Sequence, residues 1–147
     1  MKKVFHYLFH TVIIASCLKQ NEAPSIPVNE TIPTDTTGSN SNTPKNTGNL
    51  INGLFYGVTG MVKVYLQNGK YIFALENILF VNGPDLQLYL SKEIQPINYI
   101  DLRKLKSTSG NLLYEIPGSP DFMEYTFALV HCQLSNHSFG SALLQLY

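Results

Sequence analysis

From residue 50 onward the apolar positions recur with a period of two. Val62, Val64 and Leu66 alternate with Lys63, Tyr65 and Gln67, and Asn68-Gly69 follows at once. This alternation puts one set of side chains on one face of a strand, and Asn-Gly tolerates the two positive φ angles of a tight hairpin turn. The return strand covers residues 71–75 and continues over 78–81 after an irregular Glu76-Asn77. Asn82-Gly83-Pro84-Asp85 predicts a second turn, after which Leu86, Leu88 and Leu90 alternate with Gln87, Tyr89 and Ser91. Weaker strands are expected at 99–102 and 112–116, the latter ended by Pro117-Gly118-Ser119-Pro120-Asp121, and two more, 125–134 and 139–147, close the chain. Residues 103–106 read as a helical turn, and nothing longer has helical spacing. Short strands with turns every ten or so residues predict an all-β domain over residues 50–147, a small antiparallel β-sandwich with barrel-like closure.

The amino-terminal third has a different pattern. Lys2 and Lys3 precede a mostly apolar stretch, residues 4–16, that ends Ile14-Ala15-Ser16-Cys17. Such a stretch spans roughly 20 Å as a helix, short of the ~30 Å hydrocarbon core, and has the length of a signal-peptide apolar region. The tetrapeptide resembles the lipobox of bacterial lipoprotein precursors. That resemblance implies cleavage after Ser16, so that residues 1–16 are a signal peptide, and acylation of the Cys17 thiol. The competing reading is an amphipathic first helix with a chance cysteine. About two-thirds of residues 20–48 are Thr, Asn, Ser, Pro or Gly, and none is aromatic. With only Ile26, Val28 and Ile32 as sizeable apolar side chains, residues 17–49 are expected to be a lipidated cysteine followed by a disordered linker.

Charge narrows the partners little. Lys and Arg balance Asp and Glu at 10 each, and loss of Lys2 and Lys3 would leave eight basic against ten acidic residues. Such a chain has no electrostatic footprint for nucleic acid. The expected membrane contact is therefore through amino-terminal acyl chains, which contribute about 0.8 kcal/mol per buried CH₂.

The domain resembles a known family, the electron-transfer DM-thirteen domain, found beside DOMON domains in animals and alone in bacterial envelope proteins. The carriers are Gly53-Leu54-Phe55, Gly60-Met61-Val62-Lys63-Val64 and Asn82-Gly83-Pro84-Asp85-Leu86-Gln87-Leu88-Tyr89-Leu90-Ser91. Further on come Leu105-Lys106, Ser109-Gly110-Asn111, Tyr114-Glu115-Ile116-Pro117, Val130-His131-Cys132 and Phe139-Gly140-Ser141-Ala142. The resemblance implies a β-sandwich and a redox role for Cys132. Two departures stand out: the family's histidine before the first strand's glycine is missing from Gly57-Val58-Thr59-Gly60, and His131 replaces a tryptophan before the late cysteine.

With Cys17 acylated, Cys132 is the remaining thiol, which is unusual in an oxidising envelope compartment. Ala128, Val130 and Leu134 share its strand face, so a buried structural cysteine and a redox cysteine both stay open. His131 and Cys132 point to opposite faces and cannot share a metal. A two-residue turn at Ser135-Asn136 would pair Cys132 with Phe139 and Leu134 with His137, placing His137 diagonal to the thiol as a candidate metal partner. Glu76, Glu115 and Glu124 show no pairing in the sequence and are expected to be solvated. There is no Cys-x-x-Cys-His for covalent haem, no phosphate loop and no Gly-x-Ser-x-Gly elbow. The sequence identifies no cofactor, and a haem or metal supplied by a partner is one option for the redox reading. Two readings follow: a membrane-anchored redox module acting through Cys132, or a non-catalytic envelope module that binds a protein or glycan. In either case the full chain expressed in a bacterium should partition with membranes, and Cys17→Ala should abolish processing and acylation. An intact mass showing an unmodified chain that keeps Met1 would contradict this.

Overall fold

The computed structural model describes residues 22–32, 43–53 and 57–147. The expected signal peptide, Cys17 and residues 33–42 of the linker lie outside them, as do Leu54 and Phe55 of the family motif. Eleven strands are present among the described residues, and no helix. One sheet contains β1 (Val28–Asn29), β8 (Ser109–Glu115), β5 (Lys70–Phe80), β4 (Val58–Gln67), β2 (Asn46–Asn49) and β11 (Gln145–Leu146), in that spatial order. The other contains β3 (Ile51–Asn52), β10 (His137–Leu143), β9 (Phe127–Cys132), β6 (Leu86–Ser91) and β7 (Tyr99–Lys104). Apart from the parallel contact of β1 with β8, every pairing is antiparallel. The fold is the expected all-β sandwich. Its core draws Val62, Val64, Phe73 and Leu75 from the first sheet and Leu86, Leu88, Leu90, Val130 and Cys132 from the second.

The β4–β5 hairpin turns at Asn68 and Gly69, with φ of 50° and 76°. The irregularity at Glu76-Asn77 is a β-bulge: the register of β5 shifts between Leu75 and Ile78, and Asn77 takes a φ of 50°. The bulge helps turn Glu76 toward Lys63 Nζ at 2.6 Å and Tyr65 Oη at 2.9 Å. Glu76 is therefore paired rather than solvated. Glu115 with Lys70 and Glu124 with Lys92 are also ion pairs, exposed enough to add little stability.

The structure also departs from the sequence pattern at residues 103–106, 46–49 and 22–30. Residues 103–106 form no helical turn; β7 runs through Lys104, because its pairing with β6 continues to Gln87 across a bulge. The sheet also starts before residue 50. Asn46–Asn49 pairs with β4 from Val64 to Met61, so those residues are strand and not linker. Residues 22–30 form a strap laid on the domain. Pro24 O accepts from Thr108 N at 3.0 Å, Ile26 O from Ser107 Oγ at 2.7 Å, and Asn111 O from Glu30 N at 2.9 Å. The Glu30 carboxylate accepts from Leu113 N at 2.6 Å and from Lys106 Nζ at 2.9 Å. Burial alone would raise the Glu30 pKa, but the Leu113 amide and the Lys106 ammonium hold it below its ordinary value. Ala23 is a core residue, whereas Ile26 is exposed. Backbone bonds and one carboxylate thus hold a segment that has almost no hydrophobic signature.

The strap requires glycine beneath it. A Cβ at Gly110 would sit 2.0 Å from Val28 O, and its φ is 103°. Gly110→Ala should therefore cost about 1–3 kcal/mol by overpacking and backbone strain. Gly118, also at positive φ but with nothing within 4 Å of a built Cβ, is the control. Chemical denaturation of both alanine variants checks this, and equal losses would contradict the strap contact.

Candidate functional site

The chain passes from the first sheet to the second at residues 81–85, and the late cysteine is fastened to that crossing. Cys132 is fully buried and its thiol donates to Pro84 O at 2.8 Å. Leu86, which opens β6, pairs with Cys132, and the neighbouring Gln133 N donates to Asp85 O at 3.2 Å. Asp85 has a φ of 52°, a conformation that Asp tolerates better than most residues, and its carboxylate accepts from Gln87 Nε2 at 3.0 Å. Gly83 is fixed by the opposite hairpin: a Cβ there would lie 2.3 Å from Phe139 Cζ. On the outer side of the turn Glu22 forms a bridge with Pro84, and Asn82 Nδ2 donates to Glu22 Oε2 at 3.3 Å. The strap, the Gly-Pro-Asp turn and the Cys132/Phe139 hairpin meet at one place.

The β9–β10 connection differs from the expected two-residue turn. Residues 133–136 form the loop, and Cys132 pairs directly with His137 rather than with Phe139. Gln133 leaves the hairpin ladder for Asp85, while Asn136 takes a φ of 52° and its side chain accepts from His131 Nε2 at 3.1 Å. Phe139 falls at a bulge between Ser138 and Gly140 and turns into the core. His137 is exposed, and no group of three His, Cys, Asp or Glu residues able to hold a metal occurs among the described residues.

His131 and Cys132 occupy opposite faces, as strand geometry requires. Cys132 belongs to the core cluster, while His131 approaches Tyr89, with ring centroids 6.0 Å apart. Tyr89 in turn lies 4.2 Å from Tyr99, and burial together with Tyr99, Asp101 and Asp85 pushes its phenol up to about 12. His131 Nδ1 is buried without a hydrogen-bond partner among the described residues. Period-two reasoning gave no sign of this feature, because the burial arises from residues distant in sequence.

A comparison with family models decides the relationship. The model described as Electron transfer DM13 matches residues 51–144, well over half of the chain. The chain belongs to this family. No curated protein and no solved structure matches it. Within DM13 terms, the geometry accounts for why the Gly-Pro-Asp and late-cysteine motifs occur together. They are the two halves of one packed contact, Gly83 against Phe139 and Pro84 against Cys132. The DM13 match ties the domain to electron transfer as a class of function.

Burial holds the His131 pKa below its ordinary 6.5, partly opposed by the Asn136 bond and reinforced by His137. The folded state thus stays neutral while the unfolded chain takes up a proton as pH falls through 6.5. His131 therefore withdraws stability below that pH, and its full contribution returns above it. Thermal melts over the pH unit or so below 6.5 should fall more steeply for the wild type than for His131→Gln. Identical slopes would rule out His131 as the group responsible.

Proposed function

We propose that this protein is a membrane-anchored envelope lipoprotein whose DM13 domain is an electron-transfer module acting through Cys132. The anchor is Cys17, acylated behind a signal peptide, so the domain works at a membrane surface, periplasmic or outward facing. The observation that carries the reading is the thiol at the junction of the family's two motif blocks, donating its proton to Pro84 O. In this closed form the sulfur is withdrawn from solvent and cannot react until the contact opens.

A single thiol does not complete a two-electron cycle by itself. In this reading the opened Cys132 attacks a disulfide of an envelope redox partner. A new S–S bond forms to Cys132, the partner's S–S bond breaks, and the Cys132 proton ends on the departing sulfur. A metal or haem held by the partner is the other acceptor class.

Complete burial of the sulfur favours a second reading, in which Cys132 is a core residue of a non-catalytic module binding a protein or glycan. The two differ in how the thiol becomes reachable. In a redox module, alkylation of native protein should be slow but clearly faster than global unfolding, because the clasp opens locally. Labelling limited to the global unfolding rate would favour the core-residue reading. Cys132→Ala strands the Pro84 carbonyl and should cost about 1–3 kcal/mol, whereas Cys132→Ser keeps a donor there and should cost less.

A further inference from the structure

Away from the cysteine, a cleft of about 740 Å³ opens between β7 and β8, at the side of the sandwich where the chain crosses back to the first sheet. Asp101, Arg103, Lys106, Tyr114 and Glu115 line it, with Leu102, Leu113 and Pro117 as apolar wall. Its volume falls within the roughly 300–1,000 Å³ of small-molecule sites.

Arg103 is the chain's single arginine. Among the described non-glycine residues with positive φ, four are Asn or Asp at 50–52°, types that tolerate the left-handed region. Arg103 is the fifth, and its φ of 91° lies beyond that region. A register shift between Leu88 and Tyr89 and a bond from Arg103 N to Asp101 Oδ1 at 2.7 Å hold it in this strained conformation. Lys63, Lys70, Lys92, Lys104 and Lys106 each form an ion pair with a carboxylate, but the Arg103 guanidinium makes no hydrogen bond or ion pair with any described residue. At the strained bulge Arg103 thus lines the cleft with an exposed, fork-shaped donor that no described residue engages, and a carboxylate suits it in two-point contact.

The remaining lining narrows the ligand. Asp101 Oδ2 and Glu115 Oε1 carry no described hydrogen bond, leaving two acceptor oxygens for hydroxyl donors. Those carboxylates disfavour a polyanion, while a neutral sugar leaves the guanidinium unmatched. We propose that the cleft between β7 and β8 binds a carboxylate-bearing sugar of one or two rings, with Arg103 holding the carboxylate and Asp101 and Glu115 accepting from ring hydroxyls. This site is independent of Cys132 and of the redox reading.

Titration calorimetry and amide chemical-shift mapping of the full chain with galacturonate, its methyl ester and inorganic phosphate test the proposal. Galacturonate should bind, with shifts confined to residues 101–117, and the ester should bind at least about tenfold more weakly. Arg103→Gln should lose a similar factor for the acid and almost nothing for the ester. Arg103→Gly relieves the backbone strain and should melt higher than the wild type while losing the acid. Equal affinity for acid and ester, an unaffected Arg103→Gln, shifts centred elsewhere, or no binding to folded wild type would each overturn the proposal. Phosphate binding as tightly as the acid would overturn the sugar assignment, and a lower melting point for Arg103→Gly would overturn the strain argument.

Discussion

The contact between the Gly83-Pro84-Asp85 turn and the Cys132/Phe139 hairpin is the constraint on which the arrangement rests. The turn carries the chain from one sheet to the other, so its position sets how β6 enters the second sheet beside β9. Three kinds of interaction fix it. Gly83 admits the Phe139 ring, Pro84 O takes the thiol proton, and Asp85 O takes the Gln133 amide. A proline supplies a carbonyl and a fixed φ but no N–H, so the turn offers the sulfur an acceptor and leaves no backbone donor of its own there. The same turn receives the strap through Glu22, which couples the amino-terminal segment to the thiol's surroundings.

This arrangement sets a cysteine buried like a core residue at the meeting point of the motifs of a family described as electron transfer. A buried, hydrogen-bonded thiol is chemically quiet, and its quietness depends on a turn and a loop instead of on the interior of a long strand. Residues 133–136 and 82–85 are connecting segments, the part of a fold in which local opening has the lowest cost. Reactivity in this account is conditional on that opening.

What the sequence disclosed followed physical lines. Period-two alternation gave β4 through β6, the Asn-Gly hairpin and the bulge at Glu76-Asn77, because each leaves a local mark in residue type. The inward face of β9 was legible from Ala128 and Val130. The strap was not, because backbone bonds to Pro24, Ile26 and Glu30 need no apolar side chain. The length of the 133–136 loop leaves no mark in residue type, because it is set by one distant partner, Asp85 for Gln133, and by a side-chain bond within the hairpin, His131 to Asn136. Arg103 gave no hint of its conformation, since arginine has no preference for positive φ and the bulge arises from pairing with β6. The one signal for the thiol's partner was the joint presence of the Gly-Pro-Asp and Cys/Phe-Gly motifs, 48 residues apart at Pro84 and Cys132.

The direct test of the clasp is the S–H stretching band, isolated as the infrared difference between the native full chain and its Cys132→Ser variant. A hydrogen bond to Pro84 O predicts a single band, lowered in frequency relative to the same band in denatured protein and unchanged by neutral solutes that do not unfold the domain. A band at the denatured position, or no S–H band because the sulfur is a thiolate, would contradict the closed-thiol account.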